Sequence, residues 1–224
     1  MRHITTILFF LTLIGCKTQN KKQTKEDSFY VIHGVAIDRI DSSLLNKIQF
    51  VSFEYSEGVI FPAEYGEQKF GNNMWWGKRT FFTPDTNLIK QIDTAIINQY
   101  CVAMKHFNDA VWGRTIENLE DDNEKVSLAT AKQQMAEDKK RFEKTCPQLQ
   151  KELEYHDKQY IGFVTEEGER IIYIQLLDFG QDPYKLKPVF GVSWIDGWHG
   201  WFETNTNRIH YHIDKKLLTI NEDL

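Results

Sequence analysis

The sequence predicts an α+β fold: an antiparallel β-sheet with one main helix packed on one face and a peripheral helical insertion. Three observations predict it. Strand-like runs occupy both ends of the body and helix-like runs its middle, the order of an α+β domain rather than the alternation of a parallel sheet. The stripe Ile89, Ile92, Ile96, Tyr100, Ala103 and Phe107 advances by threes and fours, which lines one face of a helix. Two hairpin signals, Glu166-Glu167-Gly168 and Asn205-Thr206-Asn207, each separate a pair of β-rich runs. Over 224 residues, 41% apolar and 13% aromatic content is enough for a sizeable core.

The chain opens with Met1-Arg2-His3 and an apolar run from Ile4 to Ile14, interrupted only by threonines. That run has the length of a signal-peptide h-region and falls short of the roughly 20 apolar residues that span a bilayer. Leu13-Ile14-Gly15-Cys16 resembles a bacterial lipobox. The resemblance implies a diacylglycerol on the Cys16 sulfur, cleavage before Cys16 and an acylated new N-terminus. The expected address is then the cell membrane, on its periplasmic or cell-surface side. Removing residues 1–15 leaves 209 residues with 26 basic and 32 acidic side chains, a net charge of −6. An acidic body argues against nucleic acid as a partner.

Residues 16–28 read as the lipidated cysteine and a flexible tether. Lys17 to Ser28 contains four lysines and no apolar residue, so it cannot join a core. A coil of that length reaches roughly 20 Å. A single α+β domain is expected from residue 29 to 224, with a helical insertion at 109–157. Phe29 to Ile37 is β-rich. Ile48 to Tyr55 alternates, Ser56-Glu57-Gly58 reads as a turn, and Val59-Ile60-Phe61 returns until Pro62 stops it. Residues 62–80 read as a long irregular loop containing Gly66, Gly71 and Gly77.

Thr83-Pro84-Asp85 is the clearest helix start, with Thr83 as cap and Pro84 at the first helical position. The stripe predicts that this helix ends at His106 to Asn108. Residues 109–126, with an acidic run from Glu117 to Glu124, read as a solvated connection. That run lacks the central Gly and alternating ligands of a calcium loop. A second helix is predicted over Ser127–Thr145, with a narrow apolar stripe at Leu128, Ala131, Met135 and Phe142. Pro147 should break or restart it, with Gln148–His156 as a short third helix. Strands follow at Gln159–Thr165, Glu169–Leu177, Val189–Ile195, Trp198–Thr204, Arg208–Ile213 and Leu217–Ile220.

With Cys16 assigned to lipid, Cys101 and Cys146 remain. An even remainder in an oxidising compartment reads as one disulfide, or as two separate buried thiols.

Arg79 to Asp85, Lys158 to Ile174 and Trp201 to Leu218 together resemble small secreted or lipid-anchored proteins of Bacteroidetes that have no assigned activity. The likeness implies one helix packed on a curved antiparallel sheet, as in cystatin-like folds. It carries over no catalytic residue, and the 109–157 insertion departs from its simplest form.

Three constellations are chemically suggestive. His210 and His212 fall on one side of a strand, a spacing that can clasp zinc or copper if His199 and Glu203 on the neighbouring run supply further ligands. The plain alternative is a polar, solvent-facing strip. Trp75 and Trp76 lie in the Gly-rich loop, and Trp198 and Trp201 lie among Gly197 and Gly200. Such rings either pack the fold or stack on a sugar or partner side chain. Enzyme signatures are scarce: no Gly-x-Ser-x-Gly, His-Glu-x-x-His, phosphate loop or dinucleotide fingerprint occurs. No cofactor is expected. The reading is a membrane-anchored, non-catalytic module binding an envelope protein or glycan. An envelope hydrolase built on the His/Glu cluster, or an immunity-type inhibitor, is the alternative.

Overall fold

A computed structural model describes residues 29–32, 35–38, 40–71, 79–121, 125–182, 185–195 and 208–221. The fold is α+β. Strands β1 (Phe29–Ile32) and β2 (Val35–Asp38) form a two-stranded antiparallel ladder of their own. The main sheet has seven strands: β3 (Gln49–Ser52), β4 (Glu57–Ile60), β5 (Thr80–Phe82), β6 (Asp157–Val164), β7 (Arg170–Leu177), β8 (Ile209–His212) and β9 (Leu217–Ile220). Its order is β3-β4-β6-β7-β8-β9, with β5 also on β6. Strands β4 and β5 share one edge of β6, against Lys158–Tyr160 and Gly162–Val164 respectively. All pairings are antiparallel except β4 with β6. Among the described residues, no helix is long and apolar enough to cross a membrane.

The main helix packs on one face of the sheet as predicted, and the other face is buried as well. Tyr160, Ile172, Ile174, Leu176, Ile209 and Tyr211 point to the face covered by α2 (Thr86–Asp121), where Ile89, Ile92, Ile96 and Tyr100 meet them. The alternate residues, Ile161, Phe163, Ile171, Tyr173 and Leu177, point the other way. There they are covered by α1 (Ala63–Phe70), the 3-10 turn Ser42–Lys47 and the segment 186–195.

That last segment was expected to be a strand over Val189–Ile195. It is instead a 3-10 turn, Lys187–Val189, followed by an irregular buried stretch. Side chains replace the missing ladder. Gln159 Nε2 donates to Phe190 O and Ser193 O, each at 2.7 Å, and its Oε1 accepts from Ile195 N at 2.8 Å. Gln175 Nε2 donates to Ile195 O at 2.8 Å, and Trp194 N donates to the Tyr65 hydroxyl at 2.8 Å. Buried backbone groups need partners, and here two strand glutamines and a tyrosine supply them.

Helix α1 falls inside the predicted irregular loop. Gly66 is a packing residue rather than a turn residue: a Cβ there would lie 2.3 Å from Phe81 Cδ1. Asp85, not Thr83, caps α2, its Oδ1 accepting from Asn87 N and Leu88 N, each at 2.9 Å. Thr83 Oγ1 accepts from Ala63 N at 3.0 Å instead.

Helix α2 does not stop at His106–Asn108. It continues to Asp121, 36 residues in all, or about 54 Å. α3 (Lys125–Glu152) returns beside it and passes through Pro147 without breaking. The flanking residues hold that turn in place: the Cys101 and Cys146 sulfurs stand 2.06 Å apart, a bonded distance, and Leu153 is fully buried. Beyond Phe107, α2 has no residue in the core over the sheet, so the outer halves of the two helices form an arm. Ion pairs Lys139–Asp109 at 2.8 Å and Lys132–Glu120 at 2.9 Å tie its helices together. The arm is the predicted peripheral helical insertion, and the parallel β4–β6 pair departs from an all-antiparallel sheet.

Candidate functional site

The most chemically furnished opening among the described residues is a cleft of about 490 Å³ at one end of the sheet. Three chain reversals form it. The turn between β3 and β4 brings Phe53, Tyr55 and Ser56, and Phe53 N donates to Ser56 O at 3.0 Å to close that turn. The 3-10 turn Leu153–Tyr155 ahead of β6 brings Tyr155, and the 3-10 turn Phe179–Gln181 after β7 brings Phe179 and Gly180. The β3–β4 turn lies earlier than the predicted Ser56-Glu57-Gly58, because β6 holds it there: Glu57 N donates to Asp157 Oδ1 at 2.7 Å.

Tyr55 and Tyr155 lie ring against ring, centroids 5.0 Å apart, yet are 51% and 63% exposed. Each ring alone would be ordinary on a surface; what sets the pair apart is that the two exposed faces adjoin in one opening. Polar groups beside them are fixed. Lys187 Nζ stands 2.5 Å from Asp157 Oδ2 and 3.4 Å from Glu57 Oε2. The same ammonium lies about equally far from the Phe179 and Phe190 rings, at 5.0 and 4.9 Å. A hydrogen bond to Glu54, then that carboxylate's charge, slight desolvation, and the charges of Tyr155 and Glu154 push the Tyr55 hydroxyl pKa up, so the phenol holds its proton more firmly.

Behind the cleft lies Lys158, fully buried. Its ammonium is 3.1 Å from Asp93 Oδ1, and it donates to His156 O at 2.9 Å and to Ser56 Oγ at 3.2 Å. Burial pulls the lysine pKa down, and Asp93 opposes that shift. A serine beside a buried lysine invites comparison with a nucleophile and its base. Here the nitrogen is already held by His156 O, Ser56 Oγ and the Asp93 carboxylate. Tyr160, buried beside Asp93, has its hydroxyl pKa pushed well up by burial and by that charge.

The histidine pair lies elsewhere, on β8. His210 and His212 do share one side of the strand, but that side is the interior: each is 2% exposed, so the strip does not face solvent. His212 uses both ring nitrogens, Nδ1 at 2.8 Å from Glu169 Oε1 and Nε2 at 3.0 Å from Thr219 Oγ1. His210 sits between rings, 5.3 Å from Tyr173 and 6.1 Å from Phe163. Among the described residues, no group of three or more His, Cys, Asp or Glu is placed to hold a metal ion.

Cys16, Trp75, Trp76, Trp198, His199, Trp201 and Glu203 lie outside the described residues. Two grooves flank the arm, of about 290 Å³ and 520 Å³, with Trp112 in both. They lie between the paired helices, and the Lys139–Asp109 ion pair is part of the lining of the smaller. The cleft was missed from sequence because Tyr55, Tyr155 and Phe179 come from three distant turns. The one available signal was an aromatic residue at or beside each.

No protein-family model, curated protein or solved structure matches the chain.

Proposed function

We propose that the chain is a membrane-tethered envelope lipoprotein whose folded body is a non-catalytic binding module for a protein or glycan partner. The observation that carries the reading is the open Tyr55–Tyr155 pair beside polar groups already fixed by one another. Exposed aromatic faces in a preformed cleft favour recognition, and the buried lysine behind them is already partnered by Asp93, His156 and Ser56. The lipobox-like Leu13-Ile14-Gly15-Cys16 and the lysine-bearing polar run after it support the tether.

The test has two arms. Mass analysis of the N-terminal peptide should find Cys16 acylated at a new N-terminus, and Cys16→Ser should release the protein from membranes. Crosslinked capture from envelope extract should yield a partner with the wild-type chain and lose it with Tyr55→Ala/Tyr155→Ala. An unmodified Cys16 thiol, or capture indifferent to both tyrosines, would overturn the reading.

A further inference from the structure

The cleft has a sign as well as a shape. Glu57 and Asp157 line it, and Glu54 and Glu154 stand close enough to act on the Tyr55 hydroxyl. Against these four carboxylates the cleft wall sets one ammonium, Lys187, which is already engaged by Asp157 and Glu57. Lys158 also attracts Asp157 and Glu154, but with Asp93 at 3.1 Å the two form a pair of no net charge, which leaves the surroundings of the cleft negative. Two tyrosine rings therefore lie in a negative potential with part of their surface open.

Aromatic faces attract cations, and neighbouring carboxylates strengthen that attraction. A neutral sugar would gain the ring contact and nothing from the charge. A phosphate or acidic segment would be repelled. Resting on the binding reading above, we infer that the cleft takes a basic side chain, arginine or lysine, from an extended segment of a partner protein. The cation lies against the Tyr155 and Tyr55 rings, beside the Glu57 and Asp157 carboxylates that line the cleft and in the field of Glu54 and Glu154. Arginine fits better than lysine, because a planar guanidinium stacks on a ring while still donating to carboxylates.

The experiment is an amide-shift titration of the purified protein with tetra-arginine amide, and separately with chitotetraose as a neutral glycan. Tetra-arginine should shift Tyr55, Glu57, Tyr155 and Gly180 first, and binding should weaken at high salt. Tyr155→Ala should lower affinity about fivefold, as should Glu54→Gln/Glu154→Gln. Tyr155→Phe keeps the ring face and should bind as wild type. Tyr155 is exposed, so its variants can be checked for an unchanged fold by their remaining amide shifts.

Shifts scattered over the acidic surface with affinity unchanged by Tyr155→Ala would overturn the proposal, leaving only bulk charge attraction. Chitotetraose shifting the cleft amides while the peptide does not would also overturn it, yet would leave a tethered binding module standing. An unacylated Cys16 would overturn the tether and leave the basic-side-chain site intact.

Discussion

His210 is a buried imidazole whose two ring nitrogens have no hydrogen-bond partner among the described residues. Burial, then the charges of Arg208 and Arg79 and the neighbouring His212, hold its pKa down to about 3. The unfolded chain takes up that proton near pH 6.5, whereas the folded one does not until about pH 3. Its contribution to stability is therefore complete above pH 6.5 and is lost as the pH falls toward 3, at about 1.4 kcal/mol per pH unit. His210→Phe removes the unpaired nitrogens and the titration together. Urea unfolding at pH 7 and pH 5 should show wild type losing about 2 kcal/mol more than the variant. Equal losses would mean that carboxylates alone set the acid sensitivity. Strand alternation made the shared side of His210 and His212 legible. That this side is interior was not, because its cover is an irregular segment held by Gln159 and Gln175, and no periodic pattern announces such a cover.

At the scale of elements, spacing identified the buried face of α2 correctly through Ala103 but placed its end too early. Over the sheet, a wide apolar stripe is needed. Past Phe107 α2 leaves the core over the sheet and runs beside α3, where a narrower, more polar stripe suffices. The acidic run from Glu117 suits an exposed helix face as well as a loop, and Glu120 is in fact paired with Lys132. Pro147 was read as a break because it removes a helical donor; the Cys101–Cys146 bond next to it holds the turn. That bond spans 45 positions, worth on the order of 4 kcal/mol by loop closure. Reduction, or Cys101→Ser/Cys146→Ser, should cost about that much. Hydrogen exchange should then quicken in α3 while Ile89 to Tyr100 stay protected against the sheet. Uniform loss of protection across α2 and α3 would show that arm and sheet open as one unit.

For the whole molecule, strands β6 and β7 are common to two cores. Ile161 and Ile172 lie on neighbouring strands, face opposite ways and are almost wholly buried. Ile161→Ala and Ile172→Ala should each cost roughly 2–5 kcal/mol. Each should also leave the far-ultraviolet and tryptophan-fluorescence unfolding curves coincident, since neither core persists without the strands it shares. Separate curves for either variant would show that the two faces melt independently. The α+β class was legible from the order of strand and helix runs. The second covered face was not, because α1 carries a mid-helix glycine that exists for Phe81 and mimics a loop.

The cystine sits where α2 leaves the β-strands, which makes the outer helical hairpin an attachment rather than an integral wall. Adding or removing about two turns from both helices together would alter how far the molecule extends and leave its body untouched. Reach and architecture are thus separable in this molecule, with Cys101 and Cys146 as the shoulder from which the arm is hung.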